Sequence, residues 1–313
     1  MDKPFLSYLG RKLLYMVSTL FVIVSITFFM MKAIPGDPFT QERAVPQEIL
    51  EAMYEHYGLN DPWYTQYFRY ITQILQWDLG PSFKYQGRSV NNIINEGFPI
   101  SAVLGLEALF LSLCMGLSLG TIAALKRHRW QDYSAMLIAV AGISIPSFIL
   151  ATLLQYIFAL QLGWFPVARW GSFSQSILPA FSLAALPTAF IARLTRSSMI
   201  EVLEEDYIRT ARAKGLSKSR ILFFHALRNA LLPILSYLGQ LITNILLGSF
   251  IIEKIFGIPG LGQWFVNSVT NRDYTTIMGT TVFYSIVLLL CIFLVDLSYS
   301  FLDPRIKVGE QKS

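Results

Sequence analysis

The sequence predicts an all-α integral membrane protein with six transmembrane helices and both termini in the cytoplasm. Three observations carry that prediction. The first is composition: of 313 residues, 54% are apolar and 14% charged, and the mean hydropathy is +0.49. A soluble chain carries charge on roughly a quarter of its residues. The second is the presence of six apolar segments, at residues 10–32, 99–125, 134–161, 176–196, 230–252 and 277–301. Each approaches or exceeds the roughly 20 residues that an α-helix needs to cross the hydrocarbon layer. The third is the placement of Lys and Arg. Three lie before or at the start of the first span, three in loop 126–133, eight in loop 193–229 and three in the C-terminal tail. The opposite side has five in 32–98, one at Arg169, and Lys254 and Arg272. Basic residues collect in cytoplasmic loops, and long translocated loops count for less. The net charge of +5 is therefore read as topology and not as a sign of nucleic-acid binding.

These segments divide the chain into three regions. Residues 1–32 hold the cytoplasmic N-terminus and the first helix, 33–98 an extracytoplasmic helical loop domain, and 99–313 a five-helix membrane core. The apolar run at 13–31 is too long for a signal-peptide core and lacks a small-residue cleavage site before Pro35, so it is read as a retained span. In the second region, Pro35-Gly36-Asp37-Pro38 ends the first helix. A helix is expected from Pro46 to Gly58, burying Ile49, Leu50, Met53 and Tyr57. Asp61-Pro62 starts another, with Pro62 at its first position and Tyr67, Tyr70, Ile71, Ile74 and Leu75 along one face. This region either covers helix ends or forms a docking surface, and the residues alone support both readings. The third span contains Pro146 and the fourth Pro179 and Pro187. A proline within a span removes a backbone hydrogen bond and bends the helix, so Pro146 and Pro187 are read as pathway or helix-packing positions. Glycines and Pro259 at 257–262 turn the chain into a short interfacial helix, with Leu261, Trp264, Phe265 and Val269 on one face.

The loop from Arg193 to Arg228 is a charged insert between two apolar spans. Glu204, Glu205 and Asp206 precede a helical stretch, Tyr207 to Lys214, that stops at Gly215. Acids at a helix start and glycine just past its end suit the helix dipole and a left-handed C-cap. A second start follows at Ser217. The plain reading is a charged connector; the functional one is a two-helix knob that receives force from another protein.

Few chemical groups fall inside the spans. Glu107 lies in the second and Asp296 near the inner end of the sixth. A carboxylate at such depth is costly, and Glu107 reads either as a transport residue or as a helix–helix hydrogen-bonding group. Cys114 and Cys291 are far apart and read as small packed residues. No metal-ligand cluster is suggested. No G-x-x-x-x-G-K-[ST], H-E-x-x-H or G-x-S-x-G occurs, so this chain is not expected to hydrolyse ATP or to be an enzyme. A secondary transporter would show more intramembrane charge and inverted repeats. A membrane enzyme would need a catalytic constellation that is missing.

The loop residues Asp206-Tyr207-Ile208-Arg209-Thr210-Ala211-Arg212-Ala213-Lys214-Gly215, followed by His225-Ala226-Leu227-Arg228-Asn229-Ala230, resemble the cytoplasmic loop of permease subunits of peptide-type ABC importers. The resemblance runs through Tyr57-Gly58-Leu59-Asn60-Asp61-Pro62, Asp78-Leu79-Gly80-Pro81, Ile145-Pro146-Ser147-Phe148, Glu253-Lys254-Ile255-Phe256-Gly257-Ile258-Pro259-Gly260-Leu261-Gly262 and Asn271-Arg272-Asp273-Tyr274. The chain is similar to B-type permeases of dipeptide/oligopeptide importers. The resemblance implies a type I ABC importer permease fold in a bacterial inner membrane, surrounded by membrane lipid. It implies a homologous second permease subunit, two ATP-binding subunits that hold the ATP and Mg, and a periplasmic or lipid-anchored peptide-binding protein. No cofactor is implied for this chain itself. Nickel-chelate, glutathione or murein-peptide cargo stays open within the family.

The same resemblance places a coupling helix at about 206–214, closed by Gly215, that docks into an ATPase groove. Small Ala211 and Ala213 would permit close docking, and Tyr207 and Ile208 would fill an apolar slot. The general importer loop reads Glu-Ala-Ala, three residues, then Gly. Here those places hold Arg209, Thr210, Ala211 and Gly215, so an acidic role passes to Glu205 or Asp206.

Overall fold

The structure, a computed structural model, describes residues 3–35, 39, 47–246 and 250–302. Regular structure among them is helical, apart from one isolated antiparallel bridge between Pro81 and Ser89. The chain divides into two compact units, Met1–Phe98 with Gln263–Ser313, and Pro99–Gly262.

In the first unit the long apolar helix α1 (Lys3–Ala33) packs on α14 (Tyr274–Leu302). Between them in sequence come α2 (Gln47–His56), α3 (Trp63–Leu75) and the start of α4 (Val90–Leu125). Most of the expected Pro35–Pro38 stop lies outside the described residues. Aromatic rings tie α3 to α1: Phe28 meets Tyr67 and stacks on Tyr70, and Ser25 shares a 2.7 Å hydrogen bond with the Tyr67 hydroxyl. Two details differ from the sequence reading. Pro62 is the cap of α3 and Trp63 its first residue. Leu75, expected on the packed face, is 82% exposed, because α3 ends there and Gln76 begins the turn.

A buried carboxylate holds the turn at 81–89. Asp273, fully enclosed, accepts hydrogen bonds from the Ser82 hydroxyl, the Phe83 amide (3.1 Å) and the hydroxyls of Thr275 (3.0 Å) and Thr276 (2.7 Å). A buried carboxylate is tolerable when its lone pairs are satisfied this way.

The second unit holds the rest of α4, then α5 (Trp130–Ser144), α6 (Ser147–Leu154) running into a π-helical stretch at Gln155–Gln161, and α7 (Phe173–Glu204). Next come α8 (Asp206–Ala213), α9 (Lys218–Arg220) with a π-helical turn at Ile221–Ala226, α10 (Leu227–Ala230), α11 (Leu232–Leu246) and α12 (Phe250–Phe256). Its core gathers Leu104, Leu154, Ile191, Ile234, Ile252 and Phe256. Helices α4 and α7 approach closely: a Cβ on Gly116 would lie 2.7 Å from Ile191, and one on Gly120 would lie 2.5 Å from Thr195. Small residues allow such contact where lipid offers no hydrophobic drive for association. Helix α13 (Leu261–Asn271) begins at the edge of this unit. Val269, expected on its packed face, is 51% exposed, and Ser268 is buried instead.

Four described helices are long and apolar enough to cross a membrane: Ser7–Ala33, Val90–Leu125, Phe173–Glu204 and Tyr274–Val295. The third expected span is not one straight helix. Trp130–Ser144 and Ser147–Gln161 meet at 106° around Ile145-Pro146, which makes a fifth span if the pair crosses together. The fifth expected segment, 230–252, holds α11, and residues 247–249 are outside the described set. Cys114 is exposed on α4 and not packed in the core.

Candidate functional site

The loop between α7 and α11 folds around a small core that it shares with Ala124 at the end of α4 and Met199 on α7. Helix α7 continues to Glu204, well past the predicted end of its span at 196. Glu205 then takes an extended backbone (φ −66°, ψ 148°) and turns the chain into α8. Asp206 sits in the first turn and Arg212 in the last, so both charges complement the helix dipole. Lys214 closes α8, and Gly215 follows at φ +76°. The amide of Gly215 donates to the Arg212 carbonyl (3.0 Å) and that of Leu216 to the Ala211 carbonyl (3.3 Å). These two bonds, with Leu216 packed beside Ala211, form a Schellman stop that needs a left-handed residue at its centre.

Eight residues are too few for a helix to persist in water by itself, so packing holds α8. Ile208 is fully buried and Ala211 nearly so; they join Met199, Ile221, Ala226 and Ala230. The Ser217 hydroxyl accepts from the Arg220 amide and starts the return arm. The Tyr207 hydroxyl accepts a 2.7 Å hydrogen bond from Asn229 on α10, which closes the knob on its other side.

The residues singled out in 205–215 therefore divide by face. Glu205, Asp206, Tyr207, Arg209, Thr210, Arg212, Ala213, Lys214 and Gly215 are exposed; Ile208 and Ala211 point inward. This corrects the expected roles of the last two. Ile208 fills the knob's own core and is not free to enter a partner's slot, and Ala211 permits a close approach within the knob. Arg209, which stands where the general loop has Glu, pairs with Asp206 at 3.2 Å. With side chains 71% and 93% exposed, that pair adds little to stability.

Two ion pairs strap the preceding loop to α7, and neither was evident from the sequence. Arg127 meets Glu204 at 2.7 Å in solvent. Asp132, 2% exposed, receives a fork from Arg196, with Nε at 2.6 Å and Nη2 at 2.8 Å, and also accepts from the His128 amide at 3.1 Å. The one available signal was a guanidinium at the edge of an apolar window, matched by an acid in another loop.

The other singled-out residues lie on different elements. Glu107 is half-buried on α4, and its Oε2 is enclosed without a hydrogen-bond partner among the described residues. Pro146 is the cap of α6 at the break, and Pro187 is buried within an unbroken α7. The side chain of Asp296 is outside the described set.

Comparison with known proteins places this architecture. Residues 116–308 match the family described as "Binding-protein-dependent transport system inner membrane component", and residues 5–105 match the N-terminal region of such components. The chain belongs to this family of permeases. It is 52% identical over 304 residues to the dipeptide transport system permease protein DppB of Bacillus subtilis, covering 97% of this chain and 99% of that one. It is 47% identical over 304 residues to the oligopeptide transport system permease protein OppB of Salmonella typhimurium, covering 96% and 99%. Solved structures share the fold. An amino acid ABC transporter chain matches with TM-score 0.54 at 20% identity, over 68% of this permease and 95% of that chain. The inward-facing MetNI methionine ABC transporter matches with TM-score 0.54 at 18% identity, over 70% and 97%. The permease is thus a multi-pass protein of a bacterial inner membrane and a member of an ABC importer complex.

Proposed function

We propose that this permease carries di- and oligopeptides across the inner membrane, driven by ATP hydrolysed on partner subunits. It spans the membrane six times and pairs with a homologous second permease. Two ATP-binding subunits, which hold ATP and Mg, dock on its cytoplasmic face. A periplasmic or lipid-anchored binding protein delivers cargo on the other side. The permease binds no cofactor of its own.

The observation that carries this reading is the knob: an eight-residue helix, α8, held by a small core against the ends of α4 and α7 and by a Schellman stop, with its outer face exposed. A helix fixed in this way transmits displacement, whereas a flexible connector would absorb it. When the ATPase subunits close on ATP, α8 moves with them and α7, joined to it by the single residue Glu205 and packed on it at Met199, follows. The high identity to peptide permeases over nearly the whole chain supports the cargo class.

The test is site-directed crosslinking in a background with Cys114 and Cys291 replaced by Ala. Thr210→Cys and Ala213→Cys, both on the exposed face of α8, are expected to crosslink to an ATP-binding subunit in membranes of cells expressing the whole importer. If neither position yields that product while the importer remains active, the docking assignment is wrong.

A further inference from the structure

We infer that the Asp132–Arg196 fork is the joint that keeps α5, the inner arm of the broken pair α5–α6, moving with α7 when α8 is displaced. The inference rests on the coupling reading above and adds a positioning pair to it. Arg196 lies eight residues before Glu204 on α7, about 12 Å from the start of the knob at the helical rise. Asp132 lies in the first turn of α5, which runs from there to the 106° break at Ile145-Pro146. Displacement of α7 reaches α5, the inner arm of the break, at this point, while α6 packs on α7 directly.

The rest of the α5–α7 seam is mainly apolar, with Ala139, Ala189 and Ala192 at its centre, Met136 and Ile143 packed beside them, and Gly142 against the Ala185 carbonyl. Small residues permit this close approach in lipid, and apolar packing is non-directional. The fork differs in kind. Two parallel N–H···O bonds fix rotation as well as distance, and the enclosed carboxylate has a third donor in the His128 amide. The neighbouring Arg127–Glu204 pair is 45% and 66% exposed. Solvent screens it, so it does not substitute for the fork.

The test uses the complete importer reconstituted in lipid with trialanine as the transported probe. Arg196→Lys keeps the charge and loses the fork. It is expected to raise the ATP consumed per trialanine imported at least fivefold, while Arg127→Gln changes that ratio less than twofold. A purely structural role would lower the yield of folded complex and leave the ratio of what remains unchanged. A second measurement needs no variant at the fork. Spin labels at exposed Tyr133 and Glu201 report the distance between the inner ends of α5 and α7, which is expected to stay constant between nucleotide-free and ATP-bound states. An unchanged ratio in Arg196→Lys, or a Tyr133–Glu201 distance that shifts by several ångströms in the unmodified fork, overturns the inference. Failure of the α8 crosslink with a constant Tyr133–Glu201 distance would overturn the coupling reading instead and leave α5–α7 as one rigid body.

Discussion

Two glycines show how one residue type meets two different needs. Gly215 sits at φ +76° with open space around it. A side chain there meets nothing, so its whole cost is backbone strain, about 1–2 kcal/mol for an L-residue in the left-handed region and more for a β-branched one. Gly215→Val is expected to destabilise the Schellman stop and lower peptide uptake per ATP several-fold, while Gly215→Asn keeps most of it. Uptake and ATPase rates in proteoliposomes check this, and normal coupling in the Val variant would show that the stop is dispensable. At Gly260 steric exclusion decides. A Cβ would lie 2.5 Å from the Glu253 carboxyl carbon and 2.6 Å from Ser101 Oγ. Glu253 is fully buried, accepts from the Ser101 hydroxyl at 2.7 Å, and Ser101 in turn accepts from the Leu261 amide. Gly260→Ala is expected to cost about 1–3 kcal/mol, as overpacking usually does, measured as a lower thermal unfolding midpoint in detergent. Both glycines stand out in the sequence as turn signals. Only the structure separates strain from exclusion, because that depends on a carboxylate seven residues away.

At the scale of elements, the knob behaves as a small core attached to a long helix. Ile208→Ala removes a fully enclosed side chain and is expected to destabilise the knob by about 2–5 kcal/mol. Arg209→Ala breaks only an exposed pair and is expected to cost well under 1 kcal/mol. Hydrogen exchange over residues 206–230 separates the two, with faster exchange expected in Ile208→Ala alone; equal protection in both variants would show that packing does not hold α8. The existence and stop of α8 were legible in the sequence, since acids, apolar spacing and Gly215 agree. The direction of Ile208 was not, because the core it enters is assembled from the return arm and the ends of α4 and α7. The prolines carry the same lesson. Ile145 before Pro146 is extended (φ −92°, ψ 119°) and the chain breaks there, as the residue before a proline favours. Pro179 and Pro187 sit inside an unbroken α7, both buried. Sequence marks all three alike, and the surroundings decide which one bends the chain.

For the whole molecule, the apolar windows marked where helices lie because burial in lipid demands about 20 apolar residues and little else. They misplaced the ends, since α4 starts at Val90 and α7 runs to Glu204, beyond the windows at 99 and 196. Those extensions are held by specific contacts, such as Val90 against Gly279 and Glu204 against Arg127, which hydropathy does not register. The importer assignment makes a demand on the whole chain as well. The sequence contains no nucleotide-binding glycine loop, and the knob presents an exposed helix whose apolar face is already covered by the core it packs on. Under the proposed reading, an outside source of force and a second permease act with it. Affinity purification of the tagged chain, expressed with its own importer subunits in mild detergent, is expected to recover a homologous permease and two ATP-binding subunits. The chain purified alone is expected to hydrolyse no ATP. Recovery of a stable homodimer that accumulates peptide in a proton or sodium gradient, with no ATPase present, would replace the importer reading with ion-coupled transport. Orientation is tested separately: a tag at either terminus is expected to resist protease added outside intact spheroplasts; cleavage of one tag alone would contradict the even span count, and cleavage of both would invert the orientation.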